Sequence, residues 1–158
     1  MSDWERANQD RLEREAAGRE AVAVFPAYPR EANLAAFTVP GTGGFRFYID
    51  RASLSVTEDA MVRYALVVRS PEGGDSASYE GLRCASGEFR VYALGRAGAW
   101  QPSSVGWRPL AQRWHVVLAR EYFCPQAVPI RNAAEGLRAL EQGGHPFHRG
   151  FSGEPFRR

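Results

Sequence analysis

An α+β protein, with an antiparallel meander of about five strands and C-terminal helices packed on one face of it, is the fold that three features of this 158-residue chain predict. Between Gly43 and Gly95 apolar residues recur at every second position, in runs separated by short polar turns. From Pro109 onward the apolar spacing becomes helical, through Leu110, Trp114, Val117, Leu118 and Tyr122. Strands come first and helices after them, the order of an α+β fold and not of repeated βαβ units.

Residues 2–19 read as a helix with a weak apolar face. Ser2 and Glu5 have capping-box spacing, and Gly18 stands near a stop. Trp4, Ala7 and Leu12 are nearly all that this helix can bury, so residues 1–21 are set apart as a polar, peripheral element. Pro26, Pro29 and Pro40 exclude a long helix in the segment that follows, and Asn33 to Val39 can supply an edge strand. Phe45 to Asp50 alternates as a half-buried strand does, and Ser53 to Val56 continues it after a bend. Met61 to Arg69 is the strongest strand, with Val62, Tyr64, Leu66 and Val68 on one face and Arg63 and Arg69 on the other. Pro71 to Asp75 turns the chain, since glycine permits positive φ. Ser76 to Cys84 pairs back, with Gly81 as a candidate bulge, and Glu88 to Leu94 closes the meander with Phe89, Val91 and Ala93 sharing a face. Short turns make neighbouring strands antiparallel, and one face of such a sheet can stay wet.

After Gly95 the chain reads as irregular until the helix that Pro109 opens and Pro125 ends. On that helix Trp114 is placed inward and His115 partly exposed. A last helix runs from Ala133 to Gln142, capped by Asn132 with Glu135 three residues on and stopped by Gly143-Gly144. Residues 145–158 lack periodicity and read as a tail, with disorder among its readings. The main domain is therefore 22–144.

Composition is that of an ordinary globular protein, with 44% hydrophobic and 24% charged residues. No apolar run approaches the ~20 residues that span a bilayer. All 20 basic residues are arginine, yet the net charge is only +2 and evenly spread, which argues against a nucleic-acid partner. Two cysteines are too few for a tetrahedral zinc site without histidine help, so they pair or lie as buried free thiols. The first is expected: Cys84 closes a strand, Cys124 closes a helix, and a bond between them would pin helix to sheet.

No sequence motif demands a reaction. His145 and His148 have the spacing of a metal pair but no accompanying cluster, so neither a metal nor another cofactor is expected. Asp50, Glu80 and Glu121 are the carboxylates of ordered segments, and nothing in their spacing brings two of them together. Glu80 reads equally well as the cross-strand partner of Arg83. Arginines interleaved with aromatics in FRFY and EFRVYA could stack bases on an open sheet face, although half-buried sheets commonly carry both.

The ordered runs PAYPREANLAAF (26–37), FYIDRASLSV (47–56), VRYALVVRSP (62–71), SYEGLRC (78–84), VYALG (91–95) and REYFCP (120–125) resemble the CNP-one-like family of uncharacterised Gram-negative envelope proteins. The resemblance covers about residues 22–144. It implies a periplasmic or outer-envelope location with an unknown envelope protein or ligand as partner, and it supplies no catalytic residue. Both cysteines fall in motifs of the resemblance, RC and FCP, which fits a disulfide in an oxidising compartment. No export signal and no lipid-anchoring site is visible in the chain.

The resulting expectation is a non-enzymatic binding or scaffold module of the envelope. Its surface is placed on the wet sheet face, at Arg46, Tyr48, Arg63, Arg69 and Arg90. The rivals are an envelope hydrolase using a carboxylate pair from Glu80 or Glu121, and an RNA-binding sheet.

Overall fold

The computed structural model describes residues 2–9, 11 and 24–150, with the backbone alone at 149 and 150. Leu12, Gly18, Phe151 and Phe156 lie outside the described residues. Helix α1 covers residues 3–9, and Ser2 Oγ accepts from the Glu5 amide at 3.1 Å, the cap expected of a serine at that position. Its Trp4 is exposed.

The sheet is antiparallel throughout. Its strands are β1 (Leu34–Phe37), β2 (Arg46–Asp50), β3 (Ser55–Val56), β4 (Val62–Arg69), β5 (Asp75–Arg83), β6 (Glu88–Arg96), β7 (Ala99–Pro102) and β8 (Arg108–Pro109). The order is β1-β2-β4-β5-β6-β7, with β3 on β4 and β8 on β6. Eight strands replace the expected five because three short ones escape periodicity. The most instructive is β7: Ala97 and Gly98 both take positive φ, 53° and 79°, which makes a two-residue hairpin turn of the Ala-Gly pair. Alanine in the first of those positions hid the turn.

Helix α2 (Arg113–Val117) continues as a π-helical turn, Leu118–Phe123, in which the Cys124 amide bonds back to the Ala119 carbonyl at 2.7 Å. The expected helix from Pro109 is thus shorter, since Pro109 itself belongs to β8. Helix α3 (Ala133–Gln142) starts at Asn132, whose side chain accepts from the Glu135 amide, and ends with Gly143 at φ 75°. Helix α4 (Pro146–Gly150) follows directly, within the stretch expected to be a tail.

The helices cover one face of the sheet. Phe37, Phe47, Ile49, Val62, Tyr64, Leu66 and Leu82 meet Leu118, Tyr122, Phe123, Ile130, Ala139 and Leu140 there. Gly136 lets α3 come close: a Cβ on it would stand 2.7 Å from both Ile130 Cδ1 and Leu54 Cδ2. The opposite face is wet only in part. It carries a second cluster of Ala65, Tyr79, Tyr92 and Ala93, covered by Phe25 and Trp100, and Trp100 Nε1 donates to the Pro26 carbonyl at 2.8 Å. A bulge creates this cluster. Glu80 pairs with Val91 but Tyr79 pairs with Ala93, so Tyr92 is the extra residue and Ala93 turns away from Phe89 and Val91. Gly81 is where the bulged strand's ring rests, since a Cβ there would meet Tyr92 Cε2 at 2.8 Å.

Candidate functional site

Of the five residues assigned to a binding face, Arg46 alone is fully exposed. Its strand partner Arg69 is held by two carboxylates, Asp75 at 2.7 Å and Glu31 at 2.7 Å, and lies over the Tyr48 ring. Hydrogen bonds from that guanidinium hold the Glu31 and Asp75 carboxyls below their ordinary range. Further along the face, Arg63 and Arg90 both approach the Tyr92 ring, with 4.8 and 5.3 Å from guanidinium carbon to ring centre. Arg90 is buried. The structure therefore divides the five into an exposed end with Arg46, Tyr48 and Arg69 and a packed interior with Arg63 and Arg90. Among the described residues, Tyr79, Tyr92 and Trp100 contact one another or the Phe25–Tyr28 strap and Tyr48 lies under Arg69, so these rings are packed and not laid out to stack bases.

The helix-covered face holds a polar centre that sequence reasoning missed. Glu80 is 3% exposed. Its Oε1 accepts from Tyr64 Oη at 3.0 Å and faces His115 Nε2 at 2.8 Å, and its Oε2 accepts from Ser78 Oγ at 2.7 Å. The register explains the meeting: Tyr64 stands directly opposite Glu80 across β4 and β5, and α2 lowers His115 onto both. Burial first, and then the Glu80 carboxylate, push the Tyr64 phenol well above its ordinary value, so it stays a donor. His115 is buried, not partly exposed, and its ring stacks on Phe89 at 4.1 Å. Its Nδ1 has no hydrogen-bond partner among the described residues. The residue types are those of acid–base chemistry, but neither Glu80 nor His115 lines either of the two cavities described here. Glu121 stands elsewhere, on the π-helical turn, where its carbonyl accepts from the His145 amide at 2.6 Å. Asp50 caps the turn after β2 by accepting from the Ala52 amide. The three ordered carboxylates thus take separate positions.

One concavity of the described residues lies at the helical end. A groove of about 910 Å³ runs between the 125–131 loop, α3 and α4. Pro125, Val128, Pro129, Pro146 and Phe147 give it an apolar wall, with Val128 59% and Phe147 63% exposed. Arg131 and Arg138 supply positive charge. Glu135 is already satisfied: it takes the Arg131 amide at 2.9 Å, the Arg131 guanidinium at 3.1 Å and His145 Nε2 at 2.6 Å. His145 Nδ1 accepts from the Phe147 amide at 3.1 Å, so both ring nitrogens are committed. This fits the Nε2–H tautomer and leaves neither nitrogen for a metal shared with His148. Among the described residues no cluster of histidine, cysteine and carboxylate could hold an ion.

Burial raises the Glu135 carboxyl, but the bonds from Arg131 and His145 outweigh it and bring the value down to about 2. A depressed carboxyl stabilises the fold fully above its unfolded value, 4.5, and ceases to do so as pH falls through about 2. Thermal midpoints measured from pH 5 down to pH 2 should therefore fall further for the native chain than for Glu135→Gln. Parallel curves would show that this carboxylate is not linked to folding.

Sγ of Cys84 and Sγ of Cys124 are bonded, and the Cα atoms stand 5.3 Å apart. The bond joins the end of β5 to the end of the π-helical turn. No described helix is long and apolar enough to cross a membrane. No curated protein and no solved structure gives a significant match to the chain. The family model of the CNP1-like family matches residues 13–141, which takes in the whole sheet, the disulfide and nearly all of α3, and the chain belongs to that family.

Proposed function

We propose that this chain is a non-enzymatic binding module of the bacterial envelope and that its site is the groove between the 125–131 loop, α3 and α4. The observation that carries the reading is the combination in one concavity of exposed apolar side chains with an unmatched positive charge. Val128 and Phe147 are large apolar residues left more than half exposed, while Glu135 is neutralised by its own neighbours. Arg138 is exposed and makes no ion pair among the described residues. The complementary occupant is an extended segment of a partner protein in which an apolar anchor stands beside an acidic side chain. The burial of Glu80 supports the non-enzymatic part, because it is 3% exposed and lines neither cavity. The disulfide fits an oxidising compartment, as the envelope is.

The test is fluorescence anisotropy with labelled octapeptides that place Phe or Leu next to Asp or Glu, against peptides with the acid replaced by Lys. Acidic–apolar peptides should bind, and Phe147→Ala and Arg138→Glu should each weaken them by roughly tenfold or more. Both substitutions sit at exposed positions, so the fold should be unaffected. Binding that ignores both substitutions would move the site elsewhere.

A further inference from the structure

A second cavity, of about 490 Å³, has the disulfide in its wall: Cys84 and Cys124 both line it, together with Arg83, Glu88, Arg120 and His148. It reaches the surface, because exposed Arg120, Gln126 and Ala127 also border it. We propose that Cys84–Cys124 is an exchangeable disulfide, and that this cavity admits a dithiol reductant to it while the protein stays folded.

Three observations support the assignment. Both cysteines are themselves buried, yet both border a cavity that reaches solvent, so a route for an attacking sulfur ends at the bridge. The charges of that space favour thiolates. Arg83 is paired with Glu88 at 3.2 Å, whereas Arg120 has no ion pair among the described residues, and positive charge stabilises both an incoming thiolate and a departing one. The chain beyond Cys124 is also set to rearrange: Gln126 and Ala127, neither of them glycine, hold φ of 59° and 63° directly after Pro125. Residues other than glycine are disfavoured in this region and persist where neighbours hold them. Severing the bond at Cys124 removes one such restraint.

The exchange is balanced as follows. One thiolate of the dithiol attacks Sγ of one cysteine, the Cys84–Cys124 bond breaks, and the other cysteine leaves as a thiolate that takes a proton from water. The second thiolate of the reductant then attacks the mixed disulfide and releases the remaining cysteine. Two electrons pass to the protein, which ends as a dithiol, and the reductant ends as a disulfide.

The experiment uses the whole oxidised chain, without denaturant, and dithiothreitol as the dithiol. Freed thiols are trapped with iodoacetamide and counted by mass at timed intervals, with circular dichroism followed in parallel. Reduction should be first order in dithiothreitol and should proceed without loss of the far-ultraviolet signal. Arg120→Gln should slow it by roughly threefold or more while leaving the thermal midpoint of the oxidised protein unchanged. A rate independent of dithiothreitol and equal to the unfolding rate would overturn the proposal, since the bond would then be reached only by unfolding. An unaltered rate in Arg120→Gln would overturn the cavity as the route.

Discussion

Glu80→Ala is expected to lower stability by about 3–5 kcal/mol, as loss of an acceptor shared by several buried groups does. The carboxylate is the common acceptor for Tyr64, Ser78 and His115, all gathered on one side of the sheet. Without it the Tyr64 hydroxyl and the His115 ring remain buried with nothing to bond, and each unsatisfied group costs about 1–3 kcal/mol. Glu80→Gln should cost much less. Its carbonyl can replace Oε1 beneath Tyr64 and His115, and its amide can donate to Ser78 Oγ. Urea denaturation of the two variants separates these cases, and a double-mutant cycle with His115→Ala should give a coupling above about 1 kcal/mol. Equal losses for Glu80→Ala and Glu80→Gln would mean that shape, and not hydrogen bonding, is what the position supplies.

Loss of the disulfide should be comparable in size. Cys84 and Cys124 are separated by 40 residues, and closing a loop of that length is worth about 4 kcal/mol on the chain-entropy account. For a chain of this size the change corresponds to roughly 10 °C in thermal midpoint. The double variant Cys84→Ala/Cys124→Ala, scanned beside the oxidised native chain, measures it. A change of only a degree or two would mean that the sheet and the helices hold their places without the bond.

Much of the fold was legible because the meander alternates cleanly. Val62, Tyr64, Leu66 and Val68 face the helices and Arg63 and Arg69 face away, as period two requires. The same rule failed at Ala93, where a bulge inserts Tyr92, because a one-residue slip exchanges the faces of everything after it. His115 was misplaced for a related reason. A helix begun at Pro109 turns Trp114 inward and leaves His115 at the edge, whereas the helix that starts at Arg113 packs Trp114 on Phe47 and also brings His115 to Glu80. No local pattern announces a buried glutamate; only the pairing of Tyr64 with Glu80 across two strands shows that it has a partner. The groove was illegible in a different way. It is assembled from Pro125, α3 and α4, and the last of these begins beside a histidine that looked like the start of a tail. That His145 is buried depends on Glu135, ten residues earlier, a pairing that no short-range spacing rule selects.

The π-helical turn Leu118–Phe123 fixes an angular phase. An α-helix advances about 100° per residue, and a π turn accommodates one residue more than an α turn over the same arc. Wound as a regular α-helix, the same residues would rotate everything after the turn by about that angle. Phe123 would swing away from Tyr64, and Cys124 would no longer point at Cys84. The extra residue therefore acts as a vernier between two registers: upstream of it the helix is phased to Glu80, and downstream it is phased to Cys84.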